Sequence, residues 1–338
     1  MRHTAVAVIL GSFLTASLPA ADQQLVNMVM PDAKIVAGVN VESTRHSPFG
    51  TFLLAQIPSS DPGLQKFITA TGFNPQADLQ EILMATAGVP ASPTMALDPK
   101  TGAVEALASP KSMRGLIMAR GNFNVEKISA LAKSDGKQNV ELYKDAMLIS
   151  DPKDKAATGM ALVGSNFLVA GTVADVKAAI DRRAQANALD PELTTKVNSL
   201  SASEDMWAVS IVPMSSLNPG AAAPAQMQGA FGGDIFKKIT ESSGGIKFGT
   251  LILMTTELVA MDEKNATALS DVLKFLVGMV AMNSGATKNM PPIITTILQS
   301  MDVQTQGNVV SVKMSAPEDQ VEGLINAMAK AKPAGSKL

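Results

Sequence analysis

The chain contains no cysteine. That excludes thiol catalysis, thiolate zinc sites and iron–sulfur clusters. It also excludes disulfide staples, so stability has to come from the core. Histidine is nearly as scarce, with two in 338 residues. His3 lies at the very start, which leaves His46 as the one imidazole of the main body. A histidine-based zinc site needs more nitrogen ligands than that. A Ser-His-Asp triad could recruit His46, but no serine stands in a G-x-S-x-G elbow. Aromatic residues are 4% of the chain, with one Trp and one Tyr. Stacking platforms for bases or sugars are therefore few. Charged residues are 17%, and the formal net charge is −2. This is not the profile of a nucleic-acid binder. Beyond the amino terminus there is no long apolar run. The longest candidate, Val272 to Met282, contains Lys274 and falls short of the roughly 20 residues that a membrane span requires.

What is present begins with an export signal. Arg2 and His3 give a positive start, and Ala5 to Leu18 is apolar apart from small or hydroxyl residues. Pro19, Ala20 and Ala21 then precede the polar Asp22, Gln23 and Gln24. This is the order of n-region, h-region and cleavage zone in a secretory signal. The cut is expected after Ala20 or Ala21, and residues 1–21 are taken as the signal. The apolar run is too short for a membrane anchor, and without cysteine there is no lipoprotein-type lipid attachment. The expected location is the periplasm or the cell exterior.

The rest reads as short strands alternating with amphipathic helices. Phe167 to Gly171 is a strand, Thr172 a helix cap, and Val173, Val176, Ile180 and Ala184 a helical stripe. Asn308 to Ala316 is a strand leading into a helix with Val321, Leu324, Ile325 and Met328 on one side. Arg114 to Lys133 repeats the plan, with Asn124 as cap, and Gly249 to Met282 repeats it with a helix starting near Asn265. Lys34 to Val41 and Asp205 to Pro213 are opening strands, and Val140 to Ser150 and Val303 to Met314 are hairpins. Asp190 and Pro191 start a short helix before the second opening strand. Gly88 to Met113 and Leu217 to Gly233 read as surface loops. The fold class expected is α+β, built as two similar halves after the signal peptide. Each half is a mainly antiparallel sheet with helices packed on one face. The division is 22–200 and 201–338, the second half an internal repeat of the first. In the halves, Glu81 to Val89 corresponds to Thr250 to Val259, and the two hairpins correspond to each other.

The motifs are thin. Ser43-Thr44-Arg45-His46-Ser47-Pro48 reads as a loop entering a helix, with Ser47 as cap. Arg45, His46 and Ser47 are the one candidate contact for an anion or other ligand. Lys100-Thr101-Gly102 and Ser134-Asp135-Gly136-Lys137 match penicillin-binding motifs by letter, but stand in the reverse order. Asp151 to Lys155 starts like a calcium loop but lacks the glycine at position 6 and the glutamate at position 12. The acidic pairs are Asp151 with Asp154, Glu204 with Asp205, and Asp262 with Glu263. The 20 methionines are dispersed, which suits core filling rather than soft-metal binding. Trp207 sits in an opening strand on the same face as Val209 and Ile211. A buried anchor is expected there, with a ligand-stacking face as the alternative. Nothing implies a cofactor or a metal.

The function expected is a non-enzymatic binding or scaffolding protein of the bacterial cell envelope, its partner an envelope protein or an apolar ligand. Two alternatives stay open. A carrier of lipid or another apolar ligand needs an enclosed cavity lined by residues such as Ile252, Met254 and Leu273. A carboxylate-dependent hydrolase needs two acidic groups converging in one pocket.

Overall fold

The computed structural model describes residues 20–55, 62–88, 114–134, 136, 138–153, 158–186, 188–217, 235–282 and 292–330. Residues 1–19 of the expected signal, positions 89–113 and 218–233 of the stretches expected to be loops, Lys100-Thr101-Gly102 and Asp154 lie outside the described residues.

The protein is α+β, with one large antiparallel sheet. The first strand, β1 (Ile35–Asn40), follows a short helix, α1 (Gln23–Met28). After β1 come α2 (Val41–Thr44), α3 (Pro48–Ala55), α4 (Pro62–Thr71) and α5 (Pro75–Asp78). Next are β2 (Leu79–Ala87), β3 (Arg114–Gly121) and α6 (Val125–Ser134). The hairpin β4 (Asn139–Tyr143) with β5 (Ala146–Ser150) is followed by a second, β6 (Thr158–Val163) with β7 (Phe167–Thr172). Helices α7 (Val173–Arg182) and α8 (Pro191–Ser203) lead to β8 (Met206–Ser210). Then follow β9 (Ile239–Lys247), β10 (Leu251–Ala260), α9 (Glu263–Ala281) and α10 (Pro292–Gln299). The hairpin β11 (Asp302–Gln306) with β12 (Val309–Pro317) and α11 (Glu318–Lys330) complete the chain's described elements.

The two halves do not form separate sheets. Their opening strands pair antiparallel, Ala37 opposite Ala208, and so fuse both into twelve strands ordered β11-β12-β10-β9-β8-β1-β2-β3-β7-β6-β5-β4. Outward from this seam the order is mirrored: β1, β2, β3, β7, β6 on one side and β8, β9, β10, β12, β11 on the other. The positional counterpart of β2 is thus β9, and that of β11–β12 is β6–β7. The hairpin β4–β5 extends the first half beyond the mirrored part. The sequence comparison of the halves equated other elements because β9 (ITESSGGIK) lacks an apolar pattern. Its place between β8 and β10 is made by small residues instead: a Cβ on Gly244 would fall 2.3 Å from the Thr255 carbonyl oxygen.

Capping residues set the helix starts. Thr172 Oγ1 accepts the Asp175 amide, Asp190 accepts the amides of Glu192 and Leu193, and Asn124 accepts that of Lys127. The strand register then sorts side chains to two faces. On one face, Val36, Leu83, Ala85, Leu116, Met118, Val169, Trp207 and Val209 meet α1, α7 and α8 in the main core. In that core Leu25, Val26 and Met28 of α1 are 0–1% exposed, each worth about 1.5–3 kcal/mol of burial. On the other face of the first half, Phe67 and Phe73 of the α4 region and Ile128 of α6 pack on Ile82, Ala119 and Leu168. The same face of the second half is covered by α9, α10 and α11. Helix α3, from the first half, reaches across to join them: Phe49 packs edge-on to Phe248 at 5.4 Å.

Trp207 is 5% exposed, so it is a buried anchor and not a ligand platform. It lies over Gly38 of the paired strand, where a Cβ would stand 2.4 Å from its ring.

Candidate functional site

Arg45, His46 and Ser47 form the turn between α2 and α3. Ser47 Oγ accepts the Gly50 amide at 2.8 Å, which makes it the cap of α3. His46 Nδ1 lies 2.7 Å from the Glu42 carbonyl oxygen, and the Arg45 guanidinium donates to the Leu79 carbonyl. The three side chains hold the turn together and are directed at three different partners.

The acidic pairs separate into caps and a buried pair. Asp151 accepts the Lys153 amide in a turn, and Asp262 caps α9 by accepting the Asn265 amide. Asp205 is 3% exposed and locks the central seam. It accepts hydrogen bonds from Ser43 Oγ at 2.5 Å and the Phe248 amide at 2.7 Å, with Lys247 Nζ at 2.9 Å. Glu204 beside it is also buried; one of its oxygens accepts from Thr255 Oγ1.

Two further acids are buried, Asp175, three residues after the Thr172 cap, and Glu81. Asp175 meets Arg114 at 2.6 Å and accepts from Thr172 Oγ1 at 2.7 Å. Burial pushes its carboxyl up, but these bonds and the Arg114 charge outweigh that and leave it below the usual range. Glu81 is 7% exposed. Burial pushes its carboxyl above the usual range, against the Asp22 amide and the Arg120 charge, which pull the other way. No sequence signal connects Glu81 to Asp22: they lie 59 residues apart, and only the packing of α1 on the sheet brings them together.

Two open pockets mark the surface. One of about 380 Å³ lies between α4, α6 and the β6–β7 turn, lined by Phe73, Phe123, Asp78 and Lys127 among others. The other, of about 510 Å³, is charged: Asp22, Arg120, Asp145 and Arg183 line it beside Gln80 and Phe167. Two carboxylates therefore do meet in one pocket, but each faces an arginine. Arg183 lies 2.7 Å from Asp145 and, by that hydrogen bond, holds its carboxyl below the usual range. Arg120 Nε lies 3.6 Å from Asp22. No cluster of three metal-ligating side chains occurs among the described residues, and no described helix is long and apolar enough to cross a membrane.

The residues named for an apolar cavity do not line one space. Ile252 and Met254 pack with Phe49, Phe248 and Ile246, whereas Leu273 packs against Ile239 and Leu258 in a different cluster.

The most distinctive surface is one half of a sheet face. After β7 the chain turns into α7, which returns onto β6, β7 and β3 beside α1. After β12 the corresponding helix, α11, packs on the opposite face with Ile252. On the first face of the second half, α8 packs over β8 and β9, and Glu204 just after it reaches Gly245 and Thr255. Beyond it the face is partly open, with Thr255 and Val259 half-buried. Leu251 and Leu253 of β10 are 49% and 46% exposed, followed on the same face by Thr255, Glu257 and Val259. Lys313 stands opposite Thr255, and Ser311 opposite Glu257.

No known family matches this chain, and no curated protein matches it. Among solved structures, crystal form IV of TP0453 is similar with a TM-score of 0.48 at 8% identity, over 89% of this chain and 95% of that one. Crystal form I of TP0453 gives 0.45 at 8% identity, over 93% and 98%. A likeness at this level carries no functional information.

Proposed function

We propose that this chain is an exported, non-enzymatic binding or scaffolding protein of the bacterial cell envelope, resident in the periplasm or outside the cell. The observation that supports this reading is the partly open half-face of the sheet around Leu251 and Leu253. It mixes apolar and polar groups and is backed by a packed core, as a surface for a protein partner would be.

The pockets favour binding over catalysis. A carboxylate hydrolase needs one acid kept protonated near neutrality and open to substrate. Asp145 is held low by Arg183, and Glu81, though raised, is buried under the Asp22 amide. An apolar carrier is disfavoured because Ile252, Met254 and Leu273 are core residues of two clusters.

The test compares the exported protein with a Leu251→Asp, Leu253→Asp variant, each recovered gently from the envelope fraction and examined by native mass spectrometry. A protein partner on the wild type that is absent from the variant is the expected result. A small-molecule mass on both would replace this reading with the carrier. A bare chain in both would remove tight binding and return attention to enzymatic activity.

A further inference from the structure

The cleavage zone read from the sequence coincides with the point where the chain becomes anchored. The Ala21 amide donates to Ser201 Oγ at 3.0 Å, and the Asp22 amide donates to both Glu81 oxygens at 3.1 and 3.3 Å. Asp22 Oδ1 caps α1 through the Gln24 amide, and α1 is buried from Leu25 onward. The charges here do not balance. Glu81 and the Asp22 side chain are both carboxylates, and they share one cation, Arg120, whose Nε lies 3.7 and 3.6 Å away. That nitrogen makes no hydrogen bond, although it is buried. The charged groups facing Glu81 are Arg120 from β3 and Asp22 from the amino-terminal segment. One negative charge is left over beside Glu81, which is 7% exposed while the Asp22 side chain keeps 27%, and burying an uncompensated charge is costly.

We propose that signal cleavage after Ala21 frees an α-ammonium at Asp22 that is captured by Glu81, closing a four-charge cluster of two carboxylates, Arg120 and the new amino terminus. Hydrolysis of the Ala21–Asp22 peptide bond consumes one water, leaving a carboxylate on Ala21 and an ammonium on Asp22. The ammonium is already within hydrogen-bond reach of both Glu81 oxygens and needs no movement of the backbone. Processing therefore completes the fold as well as releasing the chain. It also finishes the wall of the charged pocket, which Asp22 and Arg120 line. The alternative cut, after Ala20, would place the ammonium on Ser201 Oγ and leave Glu81 with an amide.

This inference rests on the export reading, and its test separates the two. The full-length chain is expressed in a secreting bacterium and the exported form is weighed intact. A chain starting at Asp22 is expected. An unprocessed chain would sink the export reading and the capture with it, and a processed chain starting elsewhere would sink the capture alone. Independently, a purified chain beginning at Asp22 is compared with one carrying a short Gly-Ser extension before Ala20. The free terminus is expected to melt roughly 3–5 °C higher at pH 7. In a Glu81→Gln background the difference should vanish. Glu81→Gln itself should lower the melting temperature of the Asp22-starting chain and leave the extended chain unchanged or raise it. An ammonium held by a carboxylate has its pKa raised above the ordinary 7.7–8.0. The gain is thus complete below that range while Glu81 stays ionised, and is lost as pH rises through the raised value. Equal melting at pH 7, or a gap that survives Glu81→Gln, would overturn the proposal.

Discussion

Gly38 and Trp207 offer the sharpest test of the central seam. They lie opposite each other on β1 and β8, and the indole fills the space where a Gly38 side chain would stand. An added Cβ would sit 2.4, 2.5 and 2.8 Å from three atoms of the ring. The ring is rigid and 5% exposed, so it can yield only by shifting the strand pair or the core of α1, α7 and α8. Gly38→Ala should therefore cost about 1–3 kcal/mol, the usual range for overpacking. Trp207→Ala should cost about 3–5 kcal/mol through the cavity it leaves. The informative variant is the double one. With the indole gone, the three atoms nearest the added Cβ are gone too, and alanine in a strand is better than glycine by about 0.5–1 kcal/mol. The same substitution thus changes sign with its background, a coupling of about 1.5–4 kcal/mol. Urea unfolding followed by circular dichroism measures all four proteins, since the only tryptophan is lost in two of them. If Gly38→Ala costs the same whether or not Trp207 is present, the steric account of the seam is wrong.

Asp175→Asn should destabilise the protein by about 1–2 kcal/mol at pH 7, because it weakens the pairing with Arg114. Its depressed carboxyl contributes stability above the ordinary aspartate value, and that contribution is lost as pH falls through the folded one. The variant's deficit should therefore shrink in acid, as thermal melts from pH 7 down to pH 3 would show. Asp205→Ala should cost about 3–5 kcal/mol by chemical denaturation, since it strands Lys247 and the Phe248 amide at the seam. Leu251→Asp with Leu253→Asp should cost about 2–4 kcal/mol in the same assay, from the half-buried part of each side chain and the poor strand propensity of aspartate; a loss well above that would mean that this face is covered in the folded protein.

The local structure was legible where local chemistry decides it. Thr172, Asn124, Asp190 and Ser47 cap helices as their residue types imply, and the hairpins at Val140–Ser150 and Val303–Met314 form. What escaped was long-range. The pattern of ITESSGGIK gives no hint of a central strand, because β9 is fitted by close approach of the Thr255 backbone at Gly244 and of the Glu204 side chain at Gly245 instead of by apolar alternation. The pairing of β1 with β8 leaves no trace in either strand's own composition, since each is simply apolar enough to be covered on both edges. Mirrored halves were visible as recurring strand–helix units, but matching them by apolar length aligned β2 with β10, one position too far out. The charged cluster at Glu81 was hidden for a related reason. A single glutamate in an apolar strand has no local signature, and its partners arrive from α1 and β3.

The seam also has a kinetic consequence. β1 forms ladders with β2 nearby and with β8 far along the chain. A chain that emerges amino terminus first can pair β1 with β2 early, yet the other edge of β1 has no native partner until β8 has followed. During that interval the nascent first half presents a long unfinished sheet edge, carrying Ile35, Ala37 and Val39 toward one side. Such edges recruit other chains, and the high contact order of the missing pairing makes closure slow. The assembly of this molecule is thus most vulnerable to aggregation midway through synthesis, and a holdase acting on that edge would help most before the second half arrives.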